Sequence, residues 1–156
     1  SDAIVKGAVV QQKGDKNIES IVKPVELELD LESKTFARVK NGEMRFKVPF
    51  NAQPQKLFSL EKREYPLLIG VPNKSKWEME FNLPKKAKVS HVPDLFEIDT
   101  DCIFYRREVT SQGKSVKVAQ DLIYRCERIS PEDYPLYREE IQKLRHALDD
   151  DVVVKL

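Results

Sequence analysis

The sequence predicts a mainly β fold: a β-sandwich of antiparallel strands with one C-terminal α-helix packed on it. Three observations carry this. Apolar residues alternate with charged ones over residues 25–31 and again over residues 77–83, which places one row of side chains on each face of a strand. Asn41-Gly42 separates two short apolar-rich runs. Asn-Gly suits a two-residue type I′ hairpin turn, because both central residues need positive φ. After Ser130 the period changes: Tyr137, Ile141, Leu144 and Leu148 fall at i, i+4, i+7 and i+11, a single helical stripe. A helix with one apolar stripe must bury it on another element, here on a sheet or across its end.

In chain order, residues 3–10 are apolar and β-branched and read as a strand, while residues 11–16 are polar with Gly14-Asp15 as a turn signal. Residues 25–31 form a strand with one wet face, opened by Pro24 where a missing N–H is tolerated. Across Asn41-Gly42, Lys40 faces Glu43, Val39 faces Met44 and Ala37 faces Phe46, so Ala37, Val39, Met44, Phe46 and Val48 share a face. Residues 49–56 read as a loop, 57–60 as a short strand and 67–71 as a buried one. Trp77, Met79, Phe81 and Leu83 line one side of the next strand, which Pro84 ends. Residues 89–92 are a short strand stopped by Pro93. Residues 98–109 and 115–129 form a second hairpin over residues 111–114, with Cys102, Phe104, Leu122, Tyr124 and Cys126 expected on one face. Ser130-Pro131-Glu132-Asp133 has the grammar of a helix start. Asp149-Asp150-Asp151 fall past the last turn, since the helix dipole disfavours acids there, and Val152-Val153-Val154 form a closing strand. The reading amounts to about eight to ten strands and one helix.

The chain has 156 residues, 40% hydrophobic and 34% charged, which fits a single domain over residues 1–156. Its 27 basic and 26 acidic groups leave a net charge of +1, so no long-range field draws it to nucleic acid or anionic lipid. No apolar run approaches the roughly 18 residues of a membrane span. Ser1-Asp2-Ala3 opens without Met or signal peptide, and the segment is expected to be cut from a longer parent.

Reactive groups are few and scattered. Cys102 and Cys126 fit either free thiols or one bridge, and both fall in predicted strands rather than at a helix N-terminus that would activate a thiolate. The histidines, His91 and His146, stand apart in sequence from both. There is no CxxC or HExxH for a metal and no Gly-rich phosphate loop. Asp99-Thr100-Asp101 and Asp149-Asp150-Asp151 read as solvated turn carboxylates. No catalytic residue, cofactor or metal is therefore expected. Lys74, Lys76, Lys85, Lys86 and Lys88 cluster around the Trp77 strand, a surface that solvent or the acidic C-terminal segment would neutralise. Aromatic and arginine residues beside charges, namely Arg63, Tyr65, Trp77, Tyr134, Tyr137 and Arg138, are the candidate interface positions.

Arg63-Glu64-Tyr65-Pro66, Leu83-Pro84 ahead of Val89 and Pro93, and the run from Ile129 through Ser130-Pro131-Glu132-Asp133-Tyr134-Pro135-Leu136-Tyr137-Arg138 occur in an order that resembles the C-terminal domain of unknown function of bacterial multidomain transglutaminase-like proteins. The resemblance is strongest over residues 61–156. It implies a non-catalytic accessory domain following a papain-like core. Such a domain would pack against or position that core, or its protein or cell-wall substrate. The resemblance also implies a parent exported to the periplasm or cell envelope. No segment matches the catalytic core, so no catalytic Cys, His or Asp carries over. The alternative is an independent carbohydrate- or peptide-binding β-sandwich module using a sheet face or edge.

Overall fold

The computed structural model of the chain describes residues 8–50 and 54–156. Its elements are β1 (Val9–Lys16), β2 (Glu26–Glu32), β3 (Arg38–Lys40), β4 (Glu43–Phe46), α1 (Pro54–Leu57), β5 (Leu67–Leu68), β6 (Asn73–Asn82), β7 (Lys88–His91), β8 (Phe96–Asp99), β9 (Ile103–Gln112), β10 (Ser115–Tyr124), β11 (Arg128–Ile129), α2 (Tyr134–Leu148) and β12 (Val152–Lys155). The architecture is mainly antiparallel β with a C-terminal helix, as the alternation and the late change of period predict. The strands are more numerous and shorter than expected.

The larger sheet, in order β6-β10-β9-β8, is organised by its central hairpin. Gly113 has φ +59° and Lys114 is not left-handed, as a two-residue type II′ turn requires. That turn pairs Gln112 with Ser115 and Ile103 with Tyr124 without a break. A four-residue loop centred on residues 111–114 would set a different register. The pairing corrects the expected face: Phe104 pairs with Ile123 on the outer side, whereas Leu122 and Tyr124 lie with Tyr105 and Ile103 on the inner one. A four-residue loop would shift the partners by two and keep the same faces; Phe104 lies apart from Leu122 because directly opposed residues share a face and Phe104 stands opposite Ile123.

The inner face is covered in two halves. At the turn end, Met79, Val109, Val116 and Val118 pack with Phe46, Val48, Val152 and Val154 of the second sheet, whose order is β3-β4-β12-β7. At the other end, Ile98, Ile103, Tyr105 and Leu122 pack against Tyr134, Tyr137, Ile141 and Leu144 of α2. The closing strand β12 runs between β4 and β7, so its three valines are buried. The Asn41-Gly42 turn forms as predicted, with φ +51° and +76°. Lys40 faces Glu43 and Val39 faces Met44, although Val39 remains exposed.

Several boundaries differ from expectation. The predicted strand over residues 98–109 is two strands, because Thr100 makes a tight turn: its Oγ1 accepts the Ile103 N–H at 2.9 Å. The first helical residue is Tyr134, with Asp133 at the cap and Pro135 in the first turn. Ser130 instead closes the turn before the helix, its Oγ accepting the Asp133 N–H at 3.1 Å. Residues 54–57 form one helical turn at the end of the expected loop, the short strand expected over residues 57–60 does not form, and only Leu67 and Leu68 of residues 67–71 are strand, paired with β11. Residues 3–7 of the first predicted strand and residues 51–53 of the predicted loop lie outside the described residues.

The first hairpin departs most from expectation. Residues 11–16, read as a polar turn, belong to β1, which pairs with β2 through an irregularity between Gln12 and Gly14. The reversal falls later, where Asn17 (φ +62°) accepts the Ser20 N–H. Val25, Leu27 and Leu31 were expected to face a core, yet they are exposed, and neither core contains a residue of β1 or β2. The chain exposes 11020 Å², against roughly 8,100 Å² for a compact monomer of this mass. The uncovered hairpin is part of that excess.

The helix stripe gives a direct check. Leu144 is buried beneath α2 while Leu136 is exposed on it. Leu144→Ala should cost about 3 kcal/mol in urea unfolding, and Leu136→Ala less than about 0.5 kcal/mol. Equal effects would contradict the orientation of the helix.

Candidate functional site

Where the two coverings of the larger sheet meet, its inner face carries the row Trp77, Gln120, Arg107, Phe96. This seam is polar at its centre. Arg107 retains 2% of its accessible surface and Gln120 1%. Gln120 Nε2 donates to the Pro49 carbonyl at 3.0 Å, tying the segment after β4 across the seam. Arg107 Nε and Nη1, Gln120 Oε1 and the neighbouring Tyr105 hydroxyl have no partner, nor does Asp151 Oδ1 at the α2–β12 junction. Burial lowers the Arg107 pKa from its usual value, opposed by the Tyr105 hydroxyl and the Asp150 carboxylate. Burial likewise pushes the Tyr105 phenol up. A guanidinium held this way is chemically quiet: it stays protonated and its donors face inward.

The acidic stretch after α2 is engaged locally. Asp149 accepts from Lys47 Nζ at 2.7 Å, which holds its carboxyl below the usual carboxylate range. Asp150 pairs with His91 Nε2 at 2.8 Å. Of the two ways the sequence left for neutralising the lysines around Trp77, Asp149 and Asp150 of the acidic C-terminal stretch do not supply it, being paired with Lys47 and His91. Lys76 pairs instead with Glu78 at 2.8 Å, and Lys74 lies 3.9 Å from Asp121.

Cys102 and Cys126 form a disulfide with Cα atoms 4.9 Å apart, resolving the alternatives the sequence left open. The hairpin register explains the meeting. The Arg125 N–H donates to the Cys102 carbonyl at 2.8 Å, so the β9–β10 ladder continues one step past its ends and delivers the next residue, Cys126, to the bridge. Arg125 also reaches Asp99 and the Thr100 carbonyl at 2.8 and 2.7 Å and lies over the Phe104 ring. Among the described residues, no His, Cys, Asp and Glu side chains group as a metal site would need.

The six candidate interface residues fall into two sets. Tyr134 and Tyr137 are core residues. Tyr134 stacks on Phe58 with centroids 5.5 Å apart and donates to the Leu60 carbonyl at 2.9 Å, while burial raises the Tyr137 pKa. Trp77 is half-buried, edge-on to Phe50, and Arg138 is half-buried with its Nε enclosed. Arg63 lies over the Tyr134 ring and donates to the Tyr65 carbonyl, leaving Tyr65 exposed at the surface. These residues do not converge on one pocket. Sequence reasoning missed the Arg107–Gln120 seam, whose one available signal was an arginine at an inward-facing strand position.

The class defined so far is a small antiparallel β domain, sealed at one end by a helix and a disulfide, with its buried polar groups set along an internal seam. The family described as a domain of unknown function with solved structure, DUF3858, matches residues 42–154, and the chain belongs to that family. Among curated proteins none matches. A crystal structure from Parabacteroides distasonis ATCC 8503, described as a "putative protease", is similar at TM-score 0.60 and 14% identity, over 75% of this chain and 24% of that one. That likeness is one of fold, and this chain spans about a quarter of that protein's length.

The bridge closes a loop of sequence separation 24, for which chain entropy gives about 3 kcal/mol of stabilisation. Replacing Cys102 and Cys126 together by Ala should lower the urea midpoint by a corresponding amount. Dithiothreitol should lower the wild-type midpoint similarly and leave the variant unmoved.

Proposed function

We propose that this chain is a non-catalytic accessory domain of a transglutaminase-like protein, packing against or positioning a papain-like core or its protein or cell-wall substrate. The observation that carries the reading is the Cys102–Cys126 bridge. It occupies the only two sulfurs that could serve as thiolate nucleophiles, and it turns them to fastening the hairpin end against which α2 packs. Such bridges persist in oxidising compartments, which supports a parent exported to the periplasm or envelope. The partial coverage of the longer Parabacteroides structure fits a domain that works beside others. Tyr65 is the exposed member of the expected interface set, with Arg63 half-buried beside it.

The purified domain should incorporate no amine into glutamine-containing peptides and hydrolyse none, whether oxidised or reduced. Turnover lost on Cys102→Ala or Cys126→Ala would sink the reading. In the parent protein, Tyr65→Ala should leave the thermal midpoint of this domain in place while lowering the apparent affinity for the protein substrate or loosening the contact with the core.

A further inference from the structure

β6 is an edge strand of the larger sheet: β10 pairs with one side of it and, among the described residues, no strand pairs with the other. Its ten residues run in unbroken register with β10, with no bulge, no Gly and no Pro between Pro72 and Pro84. A long, regular, unpaired edge is a template for another strand, which natural proteins ordinarily blunt. Here the inward residues Ser75, Trp77, Met79 and Phe81 are only half-buried, so an apolar rim runs beside the free backbone groups. The outward residues are Lys74, Lys76, Glu78 and Glu80, two bases followed by two acids.

That charge order is self-complementary about Trp77. An antiparallel strand of the same sequence, set with Trp77 opposite Trp77, puts Lys74 against Glu80 and Lys76 against Glu78, and the two-fold axis repeats both pairs. Inward, Ser75 then meets Met79 and Asn73 meets Phe81, and both inner faces lie on the same side of the joined sheet. A shift of two residues in either direction sets Glu78 against Glu78 or Lys76 against Lys76, so the charges select one register. The pairing also extends an existing pattern. Across the sheet, Lys76, Asp121, Arg106 and Glu97 stand in one row of alternating sign, and Glu78 of a second copy would continue it.

We propose that β6 is the interface for a second copy of this chain, forming a two-fold symmetric, eight-stranded sheet through isologous β6–β6 pairing. The inference is independent of the accessory role. Sedimentation velocity over roughly 1 µM to 1 mM, a range reaching weak association, should show the intact chain passing to a species of twice the protomer mass. The variant Lys74→Glu/Lys76→Glu carries four acids on this row, and Glu78→Lys/Glu80→Lys carries four bases. Each alone should stay monomeric at the top of the range, while their equimolar mixture should recover the dimer. Circular dichroism on each variant checks that these exposed changes leave the fold intact. A wild type monomeric throughout overturns the proposal. So does a dimer that survives in either variant alone, which would place the contact on another surface such as the first hairpin, and so does a mixture that fails to reassociate.

Discussion

The register of the β9–β10 hairpin is the constraint on which the remainder of the structure depends. A two-residue turn at Gly113 and Lys114 settles which residues of two ten-residue strands point inward. With that choice made, Val109, Val116 and Val118 offer one apolar field to the second sheet, and Ile103, Tyr105 and Leu122 offer another to α2. The same register carries the ladder one step beyond the strands to the Cys102 carbonyl and so brings two cysteines within bonding distance. A one-residue slip would reverse every inward position of one strand relative to the other. With Ile103 and Tyr105 held inward, the slip would turn Ile123 onto the helix side and send Leu122 into solvent, so the two strands would no longer offer one continuous apolar face.

Two coverings on one sheet create a boundary, and the boundary explains the buried polar residues. The segment after β4 and the α2–β12 junction both pass between the halves, bringing backbone carbonyls and the acids 149–151 to the sheet. An apolar row there would leave the Pro49 carbonyl without its donor from Gln120, a cost comparable to a lost hydrogen bond. Arg107 fits the same logic less completely. It lies in the field of Asp150 yet keeps Nε and Nη1 unpaired, so it marks the least satisfied part of the interior rather than a strong ion pair.

Legibility in the sequence follows the range of the interaction involved. Asn41-Gly42 announced its hairpin and register because the turn chemistry is local and demands those residues. The α2 stripe was visible for the same reason, and Val152-Val153-Val154 was readable as a strand although not as one buried between β4 and β7. The β9–β10 register was not readable, since Ser111-Gln112-Gly113-Lys114 permits several loops and tertiary burial chooses among them. The disulfide depended on that register and was open with it. Alternation in Val25, Leu27 and Leu31 correctly indicated a strand but carried no information on what lies over it. Tyr134 adjoins charges and read as an interface residue, yet its hydroxyl finds the Leu60 carbonyl inside the fold.

Two exposed surfaces of this architecture, the first hairpin and the β6 edge, differ in kind. β1 and β2 expose apolar side chains whose polar neighbours pair within the hairpin, Lys13 with Asp30 and Lys16 with Glu26. Apolar contact is non-directional, so that hairpin states a tendency to be covered without stating by what. β6 is specific. Its lysines and glutamates are ordered along one line, its outer backbone groups meet no strand among the described residues, and its apolar rim is shallow. Charge order on a strand edge sets register and orientation even where each exposed pair contributes little energy. Of the two surfaces, β6 is therefore the one whose residues name their partner.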